Sequence, residues 1–188
     1  MYVVPRRVGV DLGRKALQVK LVGNLVHGHA LVFHLVYPHI PDDANLVCHC
    51  LDTTLEEVEK IRCLKQQPAY FPPNWRSQLD GVSTNWGAVT FAHHQHLQMR
   101  KVLGEKLDVA RNKVGSTHED IDALFGTAKE HLKNLDISTP QELKAEIAKA
   151  FASYQLPVVI LEVDATFDYK SYYEGHIDEK LSGYGCAA

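Results

Sequence analysis

Residues 27–50 read HGHALVFHLVYPHIPDDANLVCHC, and the fold turns on how they are interpreted. Residues 29–37 are apolar on both faces of an extended chain, which predicts an inner strand covered on two sides. Residues 45–51 are expected to be its antiparallel neighbour, with 38–44 as the connection. Pairing Tyr37 with Asn45 sets His34 opposite Cys48 and Val32 opposite Cys50, with facing side chains about 5 Å apart. His34, Cys48 and Cys50 then converge as a candidate zinc set, completed by water or Asp43. The spacing favours a plainer role. Structural zinc sites usually separate two cysteines by about two to four residues, whereas free cysteines are common small hydrophobes in cores. Core packing is the first reading of this hairpin, and Zn2+ is the second.

Working outward, residues 3–11 read as a short strand. Residues 16–22 read as another, because Leu17, Val19 and Leu21 face one side and Gln18 and Lys20 the other. Gly23 and Asn24 suit the next turn. Thr53 and Glu56 have capping-box spacing, so a helix is expected from there towards Pro68, burying Leu55, Val58 and Ile61. Residues 87–92 read as a further strand. Three helices follow. The first carries a stripe of Met99, Leu103, Leu107, Ala110 and Val114. The second buries Ile121, Leu124, Phe125, Ala128 and Leu132. The third opens with Thr139, Pro140 and Glu142 and turns Leu143, Ile147, Ala150, Phe151 and Tyr154 inward. Residues 156–163, LPVVILEV, lack alternation and predict a buried central strand. The sum is an α+β fold, a mixed and largely antiparallel sheet with a packed layer of three to four helices. No linker or repeat divides the chain, so 1–188 is expected to be one globular domain with 182–188 frayed.

The chain has 188 residues, 45% hydrophobic and 23% charged, with a formal charge of -3. That composition suits a real core and argues against extended disorder. Basic residues come in ones and twos, without the extended footprint of a non-specific nucleic-acid binder. No window of about eighteen apolar residues offers a membrane span. Residues 1–15 lack the basic, apolar and small-residue order of a secretory signal. Cys48, Cys50, Cys63 and Cys186 are therefore expected as thiols in a reducing, cytoplasmic compartment.

Neither glycine-rich nucleotide fingerprint occurs, nor does a G-x-S-x-G nucleophile elbow. HHQH at 93–96 lacks the carboxylate of a zinc-protease helix. The aspartates say more. VGVDLGRKALQVKLV (8–22) sets Asp11 at a strand end, before a glycine turn and an amphipathic strand. This opening resembles that of RNase H-like nucleases and resolvases, and also the Asp-x-Gly hairpin of sugar-kinase and actin-like ATPases. The chain is short for the two-domain ATPases. The nuclease resemblance implies that Asp11 holds a divalent metal. Glu162 and Asp164 share a strand face and are candidates to join it. Mg2+ or Mn2+ held there would activate water for phosphodiester hydrolysis, with Lys170 neutralising developing charge.

The segment 66–86 keeps no steady period, and its aromatics are set among prolines. Tyr70, Phe71, Trp75 and Trp86 are candidate contact residues, joined by Tyr172 and Tyr173 near the C-terminus. The leading expectation is a non-catalytic binding or assembly module, without a cofactor, that engages a protein partner or a second copy of itself. The divalent-metal phosphodiesterase is the alternative.

Overall fold

The computed structural model describes residues 2–4, 17–67, 71, 73–79, 87–111 and 120–177. Along the chain its elements are β1 (Tyr2–Val4), β2 (Leu17–Val26), β3 (Ala30–Val36), α1 (Ala44–Leu64), β4 (Asn74–Leu79), α2 (Ala88–Met99), β5 (Lys106–Arg111), α3 (Asp120–Leu132), α4 (Pro140–Ala150), β6 (Val158–Val163) and α5 (Tyr169–Tyr173). The fold is α+β, and its four-stranded sheet is mixed. Two compact units share the chain: residues 1–41, 49–69 and 115–166 form one, and 42–48, 70–114 and 167–188 the other.

The first unit is built on a sheet ordered β1-β2-β3-β6. β1, β2 and β3 form an antiparallel meander, and β6 returns parallel to β3, from Leu31↔Val158 to Val36↔Val163. All seven residues of β3 are buried, as expected of a strand covered on both faces. Leu31, Phe33 and Leu35 alternate towards Leu124, Ala128, Leu132, Leu143, Ile147 and Phe151, and these form the core beneath α3 and α4. β6 corrects an expectation. It borders the described sheet and is only partly buried, so the central strand is β3.

Gly23 does not make a turn. β2 runs through it to Val26, and the chain reverses at residues 27–29, where Gly28 takes φ +76. Close helix approach explains the glycine: a Cβ there would stand 2.9 Å from Phe125 Cζ and 3.1 Å from Ile121 Cδ1. Thr139 and Glu142 behave as their spacing predicts. Thr139 accepts from the Glu142 N–H, and Glu142 reaches back to the N–H of Ser138.

The largest correction concerns residues 45–51, which are helix and not strand. Asp43 caps α1 ten residues ahead of the expected start, its Oδ1 accepting from the N–H groups of Asn45 (3.0 Å) and Leu46 (3.3 Å). Leu46, Cys50, Thr54, Val58 and Arg62 then recur every fourth residue, and all are buried. Thr53 lies inside the helix and donates to the His49 carbonyl four residues back, at 2.8 Å.

In the second unit, β4 and β5 pair in parallel from Asn74↔Lys106 to Leu79↔Arg111, with α2 as the crossover. Two expectations reverse here. Residues 87–92 begin a helix, and the supposed helical stripe from Met99 breaks at Lys101 (φ +59) and Gly104 (φ +74) before entering β5. Met99 is exposed and Leu103 buried, as no common helical face would leave them. The segment 66–86 is not structureless either, because it contains β4.

Candidate functional site

The hairpin register that brought His34 to Cys48 and Cys50 does not exist, because both cysteines belong to α1. Two positions apart on a helix, they point to different sides. Cys50 lies in the first unit. Burial pushes its thiol up to about 12, so it stays protonated. Cys48 lies in the second unit among Tyr169, Tyr173, Val89 and Ala92. Among the described residues no three His, Cys, Asp or Glu side chains gather as a metal ion would require.

His34 is fully buried, and its Nε2 lies 2.9 Å from Thr53 Oγ1. Since the Thr53 hydroxyl gives its proton to a backbone carbonyl, His34 Nε2–H is the donor in that pair. Burial, reinforced by the neighbouring His49, lowers His34 from 6.5 to about 4, so the ring is neutral at pH 7. Nearby, Asn24 Nδ2 donates to the Cys50 carbonyl and to Thr54 Oγ1. These polar groups hold α1 on the sheet face opposite α3 and α4.

A polar rim sits where β3 and β6 end. The Tyr37 hydroxyl donates to Glu162 Oε2 at 2.7 Å, and Lys144 Nζ donates to Oε1 at 3.2 Å. The hydrogen bond to Glu162 pushes Tyr37 up to about 12 and holds Glu162 below the usual carboxylate range. His39 Nε2 donates to the Asp164 carbonyl at 2.8 Å. Both Glu162 oxygens therefore have protein partners, while Asp164 is exposed beyond the strand end. Asp11 lies outside the described residues.

In the second unit, α5 is pinned by its own spacing. Tyr169 and Tyr173, four residues apart, are both buried. The ring of His93 lies 4.8 Å from that of Tyr169, and its Nδ1 is 3.1 Å from the Tyr173 hydroxyl. Asp168 caps the helix by accepting from the Ser171 N–H. Asn45 accepts from the Lys170 N–H and donates to Asp168. This mount turns Phe167 and Tyr172 outward, 56% and 53% exposed, against 7% for Tyr173. Tyr173 is thus core, whereas Tyr172 is surface. Phe71 and Trp75 make an edge-to-face pair at 5.3 Å, and Tyr70 and Trp86 lie outside the described residues.

The histidines of residues 93–96, weighed in sequence only against a zinc-protease pattern, organise this unit as buried hydrogen-bonding groups. His94 is buried, donating from Nδ1 to the Thr90 carbonyl (2.8 Å) and leaving Nε2 to accept from Ser77 Oγ at 3.0 Å. The available signal was the four-residue spacing of Tyr169 and Tyr173, which asks for buried polar partners for two hydroxyls.

No helix among the described residues is long and apolar enough to cross a membrane. No curated protein matches the chain, and neither does any solved structure. A family model does match, over residues 11–186, and by it the chain belongs to the family described as a domain of unknown function, DUF7869.

Proposed function

We propose that this chain is a divalent-metal-dependent phosphodiesterase of the RNase H-like kind. The observation that carries the reading is the order of strands along the chain: an antiparallel meander β1-β2-β3, then α1, then β4-α2-β5 with parallel strands. This order along the chain is similar to that of RNase H-like nucleases, while the pairing is this chain's own, with β6 beside β3 and β4 with β5 in a separate sheet. In parallel α/β arrangements, sites form beyond the carboxyl ends of the strands. In this sequence Asp164 directly follows Val163, the last residue of the parallel strand β6. Asp11 ends the first strand-like run. The described residues alone do not supply a metal centre, and Asp11 lies outside them. The engagement of Glu162 by Tyr37 and Lys144 makes it a structural group in this reading.

The test is cleavage of end-labelled DNA and RNA oligonucleotides in Mn2+ or in chelator. Metal-dependent cleavage is expected, lowered by about 100-fold or more in Asp11→Asn, the scale of losing one essential charged or polar group from a site. The reading fails if no substrate is cut, or if Asp11→Asn and Asp164→Asn both cut like the parent.

A second reading, a binding or assembly module, is favoured by the outward mounting of Phe167 and Tyr172. In the form that invokes a second copy, sedimentation of the purified chain should show association that Tyr172→Ala weakens. A monomer at all concentrations removes that form.

A further inference from the structure

We infer that Phe167 and Tyr172 are a stacking surface for the bases of single-stranded nucleic acid, with Lys170 and Arg100 meeting its phosphates. The choice of occupant rests on the phosphodiesterase reading; the surface itself does not. Their rings stand 6.0 Å apart, and both are more than half exposed. Exposed aromatics are ordinary when they are loose, but these are braced. Tyr169 supports Phe167 edge-on at 5.2 Å, and Tyr173 supports Tyr172 at 5.0 Å. His96 of α2 adds a further edge contact to Tyr172 at 6.1 Å. Beneath them the buried His93–Tyr173 hydrogen bond and the Asn45 bridge fix α5 in place. A ring held still loses little freedom when a base settles on it.

The surrounding charge fits a polyanion. Lys170 is exposed on α5 between the two rings in sequence. Arg100 lies one helical turn beyond His96 and so continues the face that touches Tyr172, and exposed Lys101 follows it. Of the acids nearby, Asp168 is turned to its capping and Asn45 hydrogen bonds, and Glu174 stands at the C-terminal end of α5. Lys170, Arg100 and Lys101 thus stand against Asp168 and Glu174, in a chain that carries -3 overall. Aromatic rings alternating with cations are how single strands are held without sequence preference, since every base offers a π-face.

The experiment is fluorescence anisotropy of a labelled 20-nucleotide oligodeoxythymidylate and a duplex of equal length, titrated with the full chain in chelator across a salt series. Single-strand binding is expected to exceed duplex binding and to weaken at least about fivefold in Phe167→Ala and in Tyr172→Ala. Tyr172→Phe should restore it, and Tyr172→Leu, which keeps apolar bulk without a ring, should not. Lys170→Gln and Arg100→Gln should each flatten the log–log salt dependence by about 0.7, whereas the ring variants leave that slope unchanged. Equal binding by Tyr172→Leu and the parent overturns the inference, as does a preference for duplex or no binding at all. Loss of self-association in the ring variants, with oligonucleotide binding intact, also overturns it and assigns the surface to protein. The same preparations are then given Mn2+. Ring-dependent binding without cleavage sinks the phosphodiesterase reading and leaves the inference standing; Asp11-dependent cleavage indifferent to the rings does the reverse.

Discussion

Acid should loosen this protein through His34 in particular. The ring is fully buried, donates to Thr53 at 2.9 Å, and has its proton affinity lowered from 6.5 to about 4 by burial and by nearby His49. Below pH 6.5 the unfolded chain takes up a proton that the folded chain refuses, so this contribution to stability is complete above 6.5 and is lost as pH falls towards 4. At 1.36 kcal/mol per unit, the whole loss is about 3 kcal/mol, a large part of the stability of an ordinary domain. Urea unfolding of the parent and of His34→Gln, measured at intervals from pH 8 to pH 4, isolates the effect because the other titrating groups are common to both. Near pH 7 the variant should be the weaker by about 1–3 kcal/mol, having disturbed a buried hydrogen bond. Towards pH 4 the gap should close by about 3 kcal/mol. A gap that stays constant across the range would refute the reasoning, since it would mean that the imidazole is hydrated or charged in the folded protein.

Other perturbations read other parts of the fold. Gly23→Ala places a methyl against Phe125, Ile121 and Phe33, and should cost about 1–3 kcal/mol in thermal or urea unfolding. Thr139→Ala removes the acceptor for the Glu142 N–H and should cost about 1 kcal/mol, while Thr139→Ser costs little. With Ellman's reagent followed by peptide mapping, exposed Cys63 should be modified in the native protein, and buried Cys50 only after denaturant is added.

What could be foreseen from sequence was mostly local. Thr139, Pro140 and Glu142 carry a complete helix-start signal within four residues, and the structure uses it as expected. β3 could be read because its apolar run is short and holds Val and Phe on both faces. Residues 45–51 could not be settled this way. A brief apolar run fits strand or helix equally, and the deciding stripe continues through Thr54 and Arg62, whose burial depends on tertiary partners. Asp43, placed in the 38–44 connection and offered as a zinc ligand, is the cap of α1. The Met99 stripe failed for the opposite reason: its helical spacing is real, but Lys101 and Gly104 at positive φ divide it between two elements. Of the site, Tyr172 was legible as a surface aromatic. Tyr173, its neighbour, was not separable from it until the His93 bond placed it inside.

The parallel pairing of β3 with β6 also governs the order in which the chain can fold. Leu31 meets Val158, so the meander of β1, β2 and β3 is made long before its last neighbour exists. At ribosomal speeds of about 5–20 residues per second, the interval is roughly 6–25 s, far longer than a hairpin takes to form. Throughout it, one edge of the most apolar strand lacks its eventual partner. The nascent chain thus presents a row of unmet backbone donors and acceptors beside Leu31, Phe33 and Leu35, a ready template for another molecule. Residues that shield that edge on the way, and not those that merely fill the finished core, will set the yield of folded protein.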